Sequence, residues 1–298
     1  MVIRIGSRGS VLARWQAEHV QALLLARGHE ARIQLITTTG DRVQDRRLES
    51  VGGKGAFLKE IEEAMLAGEV ELAVHSLKDV PTALPAGLRL CAILERADPR
   101  DAVLSARGSR FGDLPAGSVI GTSSLRRQCQ VRALRPDLEV ADLRGNVDTR
   151  IRKLREGSCD AIILALAGLE RLGRAGEASE VLDPATFVPA PGQGAIALEC
   201  RSGDAAVAAA VAPLNHAPTA REVEAERALL QALGGGCNVP LGAHAVTEGR
   251  DLRLTAFVGR ADGSSLVRAE RRGKDPAALG RAVADDLLAR GARALLAP

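Results

Sequence analysis

Tyrosine is absent from this 298-residue chain, and aromatic residues are limited to one Trp and four Phe. Proteins that hold single-stranded nucleic acid stack bases on aromatic side chains, so a partner of that kind is not expected. The formal net charge of +3 is too small to draw in polyanions by bulk attraction. No apolar run is long enough to span a bilayer, and the opening segment Met1-Val-Ile-Arg-Ile-Gly-Ser-Arg8 lacks the apolar core of a signal peptide. The five cysteines, Cys91, Cys129, Cys159, Cys200 and Cys237, are odd in number, widely spaced and never arranged as Cys-x-x-Cys. That pattern argues against both a disulfide framework and a zinc site. Together these absences predict a reduced, cytoplasmic protein with no metal, acting on a small molecule.

What is present is ample apolar material and a great deal of arginine. At 46% hydrophobic and 26% charged, the chain can fill two or three separate cores. Val2–Ile5 reads as a strand, followed by Gly6-Ser-Arg-Gly-Ser10 and a helix from Val11 to Ala26. Arg32–Thr37 is a second strand. The glycine loop Val51-Gly-Gly-Lys-Gly55 opens a helix through Leu58, Ile61 and Met65, and Val70–Val74 is an apolar strand. Leu88–Leu94 and Ala102–Ser105 are further strands. The alternation then restarts with a strand at Ser118–Gly121, a helix at Leu125–Leu134, a strand at Glu139–Leu143, a helix at Val147–Arg155 and a strand at Ala161–Leu166. Such alternation indicates two doubly wound α/β domains. Pro189-Ala-Pro-Gly-Gln-Gly194 breaks the second, and the strand Ala195–Glu199 is placed to return to the first. The remainder reads as a small α+β domain: a helix over Thr219–Leu233, a hairpin of Leu252–Val258 and Leu266–Glu270, and a closing helix over Pro276–Arg290. The expected division is 1–96 with 195–214, then 97–194, then 217–298.

Basic residues and hydroxyls gather at the strand-to-helix junctions. Arg8 lies between Ser7 and Ser10; Arg126 and Arg127 follow Thr122-Ser123-Ser124; Arg144 precedes Gly145-Asn146, with Arg150 one turn on. Ligands of open α/β sheets bind at the carboxyl ends of strands, and helix N-termini there favour anions. Arginine adds bidentate recognition of carboxylate or phosphate. The set therefore points to a cleft for a polyanionic small molecule, although any one arginine could be an ordinary solvated residue. The Val51–Lys59 loop is not a P-loop: Leu48 stands where the first glycine is needed, and Gly55 follows Lys54 in place of Ser or Thr. Asp79, after a buried-type strand, is placed to stabilise a cation or move a proton, or else to form an Asp turn ahead of Pro81. His75 reads as a satisfied structural histidine.

Cys237 differs from the other four cysteines. It follows Gly234-Gly-Gly236, where missing side chains let a backbone approach a bulky group. A thiol there suits a nucleophile or an attachment point; the competing reading is a helix cap followed by an incidental cysteine.

These segments together resemble the porphobilinogen deaminase (hydroxymethylbilane synthase) family. The resemblance rests on Val51-Gly-Gly-Lys-Gly55, His75-Ser-Leu-Lys-Asp-Val-Pro81, Asp98-Pro-Arg-Asp101, Gly121-Thr-Ser-Ser-Leu-Arg-Arg-Gln128, Leu143-Arg-Gly-Asn-Val147, Asp160-Ala-Ile-Ile-Leu-Ala165, Pro191-Gly-Gln-Gly-Ala195 and Gly235-Gly-Cys-Asn-Val-Pro240. It implies an enzyme of tetrapyrrole (haem- and chlorophyll-type) biosynthesis. Such an enzyme condenses four porphobilinogen units head to tail, releases ammonia, and frees hydroxymethylbilane by hydrolysis. It also implies a dipyrromethane cofactor held by a thioether to Cys237. Asp79 is then the catalytic carboxylate, stabilising the azafulvene-like cation left when ammonia departs. Arg8, Arg126, Arg127, Arg144, Arg150 and Arg171 match the family's carboxylate-binding arginines. Ser10, Lys54, Lys78, Thr122, Ser123, Ser124, Gly145 and Gln193 fall at matching cofactor- or substrate-contact positions. The implied architecture is two domains like those of type II periplasmic binding proteins plus a third that carries the cysteine, in a monomer. Departures are small: Asn238 and Leu241 stand where Gln and Ile are common, Asp148 replaces a small residue, and Thr39 falls near where many relatives carry Arg.

Two other classes compete. A non-catalytic small-anion-binding module would need neither Cys237 nor the last domain. A nucleic-acid-binding protein would use the same arginines with a steep salt dependence, but the scarcity of aromatics and the modest charge argue against it.

Overall fold

The structure is a computed structural model that describes residues 2–39, 58–234 and 239–296. Lys54 and Cys237 lie outside the described residues. The chain divides into two compact units, 1–97 with 194–221, and 98–193 with 222–298.

The first unit is built on a five-stranded sheet. Its strands are β1 (Ile3–Ser7), β2 (Ala31–Leu35), β3 (Leu72–Ser76), β4 (Leu88–Ile93) and β10 (Ile196–Arg201), in the order β2-β1-β3-β10-β4. β1 runs parallel to β2 and β3, whereas β10 is antiparallel to both of its neighbours. Four successive residues of β3 are buried, as befits a strand covered on both faces. One face packs Ile3, Ile5, Leu72, Val74 and Leu198 against Val20 and Leu24 of helix α1 (Val11–Leu25). The other packs Val70 and Ala73 against Ile61 and Met65 of helix α2 (Lys59–Leu66). The apolar spacing of Val20 and Leu24, four residues apart, puts both on one helix face.

The second unit repeats the plan. Strands β5 (Asp101–Ser105), β6 (Val119–Gly121), β7 (Glu139–Ala141), β8 (Ala161–Ala165) and β9 (Glu180–Val181) form a sheet ordered β7-β6-β8-β5-β9. Three strands are again parallel in the order second, first, third, followed by an antiparallel strand, here β5. The helices are α3 (Leu125–Leu134), α4 (Val147–Arg155) and α5 (Leu166–Arg171). In each sheet the antiparallel strand is the one entered directly from a segment linking the two units. The strand expected at 195–199 is β10, and it joins the first sheet beside β3.

Helix α6 (Ala205–Val211) packs in the first unit, and α7 (Ala217–Ala232) leads to the last segment. There β11 (Leu241–Glu248), β12 (Asp251–Gly259) and β13 (Leu266–Gly273) form an antiparallel sheet, with α8 (Pro276–Ala289) and α9 (Ala292–Leu296) behind it. It has its own core of Leu229, Leu252, Leu254, Val283 and Leu287. Within the second unit the two sheets are joined by Phe257 packed with Cys129 and Val188, and by Arg268 donating to the carbonyls of Ala185 and Thr186 at 2.8 and 2.6 Å. Gly259 is needed there, because a Cβ would lie 2.4 Å from Cys129 Sγ. The α/β class with two doubly wound sheets and a small terminal α+β segment is therefore what the chain adopts.

Candidate functional site

In the first unit, β1 and β3 are adjacent parallel strands, so their carboxyl ends open on the same edge of the sheet. β1 ends at Ser7, followed by Arg8; Ser10 then caps α1, its side chain accepting from Ala13 N at 3.3 Å. That cap satisfies one of the four free N–H groups a helix start leaves and keeps the N-terminal partial charge at the edge. β3 ends at Ser76 and passes into a single 3-10 turn, Leu77–Asp79, closed by Val80 N donating to Leu77 O at 3.0 Å. Lys78 and Asp79 are both half-buried in that turn. The topology thus brings Arg8, Ser10, Lys78 and Asp79 to one sheet edge.

The second unit does the same with more charge. The carboxyl ends of β6, β7 and β8 deliver Thr122–Arg127, Arg144–Arg150 and Arg171 to one edge. Thr122 is buried, its Oγ1 accepting from Ser124 N at 3.2 Å, while Ser124 caps α3; Ser123 is half-buried between them. Arg144 and Arg150 are half-buried too: Arg144 Nε pairs with Asp142 at 2.9 Å, and Arg150 Nε donates to Gly145 O at 2.8 Å. Gly145 has a φ of +119°, and an added Cβ would lie 2.6 Å from Thr149 Cγ2. Glycine is demanded at this turn by both conformation and space. Burial brings the Arg171 guanidinium down to about 10, against the opposing pull of Glu170.

Arg126 and Arg127 occupy a different environment from the other arginines. Each is 5% exposed, and both close on Asp101, which is fully buried. Arg126 Nη1 reaches Asp101 Oδ2 at 2.6 Å and the Val188 carbonyl at 2.7 Å. Arg127 Nη2 reaches Asp101 Oδ1 at 2.7 Å, and its Nη1 reaches the Ile163 carbonyl at 2.9 Å. Gln193, 1% exposed, donates from Nε2 to Asp101 Oδ1 at 3.0 Å and to Pro99 O at 2.6 Å. Burial alone would raise the Asp101 carboxyl, but the two guanidiniums outweigh it and hold it well below the usual carboxylate range. Burial likewise lowers the Arg126 guanidinium, with Asp101 opposing. Two cations and one anion leave this cluster with a net charge of +1, in a setting where charge is weakly screened.

Asp101 closes the segment Asp98-Pro-Arg-Asp101, and its role in this cluster is not among those expected from the sequence. The available signal was a carboxylate opening an otherwise apolar strand, since burying an unpaired charge is prohibitively costly. Its partners, 25 and 26 residues away, come from helix α3 across the sheet edge. His75, by contrast, is paired as a structural histidine, Nε2 lying 2.9 Å from Glu199 Oε2 deep in the first unit. Among the described residues, no group of three or more His, Cys, Asp or Glu could hold a metal ion. Nor, among them, is any helix long and apolar enough to cross a membrane.

Residues 3–209 match the family described as porphobilinogen deaminase, dipyromethane cofactor binding domain, and residues 220–289 match porphobilinogen deaminase, C-terminal domain. The chain belongs to the porphobilinogen deaminase family. The porphobilinogen deaminase of Thiobacillus denitrificans is 53% identical over 298 residues, covering 99% of this chain and 97% of the relative. That of Syntrophobacter fumaroxidans is 52% identical over 299 residues, with coverage of 99% and 97%. Among solved structures, a Bordetella pertussis BvgS VFT2 domain overlaps at a TM-score of 0.44 and 14% identity, covering 71% of this chain and 85% of that one. The family's first matched domain spans every described arginine and hydroxyl at the two sheet edges, and Asp79 with them.

Proposed function

We propose that this chain condenses four porphobilinogen molecules head to tail into hydroxymethylbilane, releasing ammonia, from a dipyrromethane cofactor attached through Cys237. The observation that carries this is identity above half along nearly the whole chain with relatives named porphobilinogen deaminase. Each unit by itself offers groups that fit such a cofactor. Pyrrole units carrying acetate and propionate groups need anchored cations: the sheet edge of the first unit has Arg8 with the capped helix start at Ser10, and that of the second has Arg144, Arg150 and Arg171 with the capped helix start at Ser124. When bound, the cofactor supplies the nucleophilic pyrrole carbon on which the chain grows.

The protein's own groups then divide the work. Asp79 stabilises the positive charge that develops on the substrate as ammonia leaves and holds the pyrrole N–H groups that react. A fixed carboxylate in a partly dry site does this better than water, because it needs no reorganisation as the charge appears. Lys78, beside it in the same turn, takes a carboxylate. Arg126, Arg127 and Gln193 act as one assembly organised by Asp101, presenting a single net positive charge to the ligand. Thr122, Ser123 and Gly145 supply hydroxyl and backbone donors to it, and Lys54, outside the described residues, is assigned a further carboxylate. We also assign three functional domains, 1–96 with 195–214, 97–194 and 217–298; the separate core of the last segment supports its assignment. The enzyme is proposed to work as a cytoplasmic monomer, without nucleic acid.

The test is turnover. Purified protein supplied with porphobilinogen should release ammonia and yield a linear tetrapyrrole, and light scattering should give the mass of one chain. Saturable binding of porphobilinogen with no ammonia released would instead identify an anion-binding module.

A further inference from the structure

Helix α1 and strand β3 each carry part of the first unit's site, and one buried side-chain pair joins them. Gln16 lies in the second turn of α1 and is 2% exposed. Its Nε2 donates to Ser76 Oγ at 2.8 Å, and its Oε1 lies 3.3 Å from the same oxygen. The amide therefore engages that hydroxyl with both of its polar atoms. Ser76 is the last residue of β3, three residues before Asp79. Gln16 follows the helix start, with Ser10 at its cap and Arg8 just before it.

The surroundings make an amide an unneeded choice for packing. Ala17, Val20 and Leu24 of the same helix face an apolar core with Leu72 and Val74 of β3. A buried amide costs free energy unless its partners are met, so an apolar side chain of the same length would serve the core as well. The strand is secured elsewhere: Leu77 N donates to Ala195 O at 3.0 Å, and on the opposite sheet face His75 meets Glu199. Those contacts tie β3 to β10. The Gln16–Ser76 pair ties the strand's exit to the helix.

We propose that Gln16 is a positioning residue, setting the Lys78–Asp79 turn in register with the start of α1 that bears Arg8 and Ser10. It touches neither substrate nor cofactor; it acts through Ser76. The inference rests on the reading of Asp79 as the catalytic carboxylate. Holding reacting groups in register is worth a great deal in rate, and a misplacement near 1 Å costs about a hundredfold.

The decisive variant removes both partners together, Gln16→Leu with Ser76→Ala, since replacing a bonded pair by apolar groups keeps stability close to the starting value. Turnover of porphobilinogen should then fall by about ten- to a hundredfold in kcat, with KM changed less than about threefold, Tm held within a few degrees and the cofactor adduct present by intact mass. Each single variant should lose about as much kcat as the pair, and Ser76→Thr, which keeps the hydroxyl, should retain it. A double variant with unchanged kcat, or single losses that simply add, overturns the proposal. A wild-type protein that carries the adduct but releases no ammonia overturns the functional reading instead.

Discussion

Replacing Asp101 by Asn removes the one anion between two buried guanidiniums. Arg126 and Arg127 would keep their carbonyl contacts to Val188 and Ile163, at 2.7 and 2.9 Å, but face each other uncompensated. Gln193 would lose its 3.0 Å bond to Oδ1 or meet an amide N–H there. Removing one partner of a buried ion pair typically costs about 3–5 kcal/mol, a large share of the roughly 5–15 kcal/mol that holds a domain folded. At about 2–4 °C per kcal/mol for a unit of this size, D101N should unfold about 6–20 °C below wild type. Differential scanning calorimetry reads this directly. The pH dependence gives a second signature. The folded carboxyl is held low, so its stabilisation is complete above the unfolded value of about 3.9 and is lost as pH falls towards the lower folded value. Wild type should therefore lose an increment of stability below about pH 4 that D101N never had. Substituting all three residues by apolar ones of similar volume should recover most of the stability while abolishing turnover. A D101N protein that melts within 2 °C of wild type, as no more than about 1 kcal/mol would allow, would refute the claim that this carboxylate organises the arginines.

Other expectations follow from the same structure. Burial and the nearby Glu199 carboxylate raise the Glu62 carboxyl, with His75 opposing. The folded state thus holds the proton longer than the unfolded one, and stability falls as pH rises above about 4.3, the unfolded value, through the raised folded value. Glu62→Gln should flatten that decline in urea titrations between pH 4 and 8; a parallel pH curve would count against it. Gly145→Ala, forced into positive φ and onto Thr149, should cost about 1–3 kcal/mol and weaken substrate binding through Arg144 and Arg150; normal stability would show that the turn can rearrange. Asp79→Asn should keep the cofactor yet lose at least about a hundredfold in kcat, and near-normal turnover would move the catalytic role elsewhere.

Much of this was legible in the residues, for identifiable reasons. Apolar runs such as Leu72–Val74 and Ala161–Leu164 announce strands buried on both faces, and hydroxyls before Leu125 and Val11 mark helix starts. The tight turn at Arg144-Gly145-Asn146 could be read because few residues other than glycine tolerate its φ of +119°. Other elements gave weaker signals. Strand β11, Leu-Gly-Ala-His-Ala-Val-Thr-Glu, carries small residues where a strand usually shows bulk, and its pairing with β12 decides its state. Helix α6, a run of Ala and Val, has no polar face to reveal a period. β9 is two residues long and exists only as a partner of β5. The Asp101 cluster was hidden for a topological reason. Antiparallel pairing sets Asp101 opposite Ala165 at the end of β8, where α3 also begins, and nothing local to the sequence states that register.

The central claim is that Cys237 permanently tethers a dipyrromethane, so intact-protein mass spectrometry tests it most directly. Freshly purified wild type should be heavier than its sequence by two pyrrole units, and Cys237→Ser should fold but run at its bare mass without turnover. Wild type at its bare mass, failing to gain the adduct when incubated with porphobilinogen, would contradict the account.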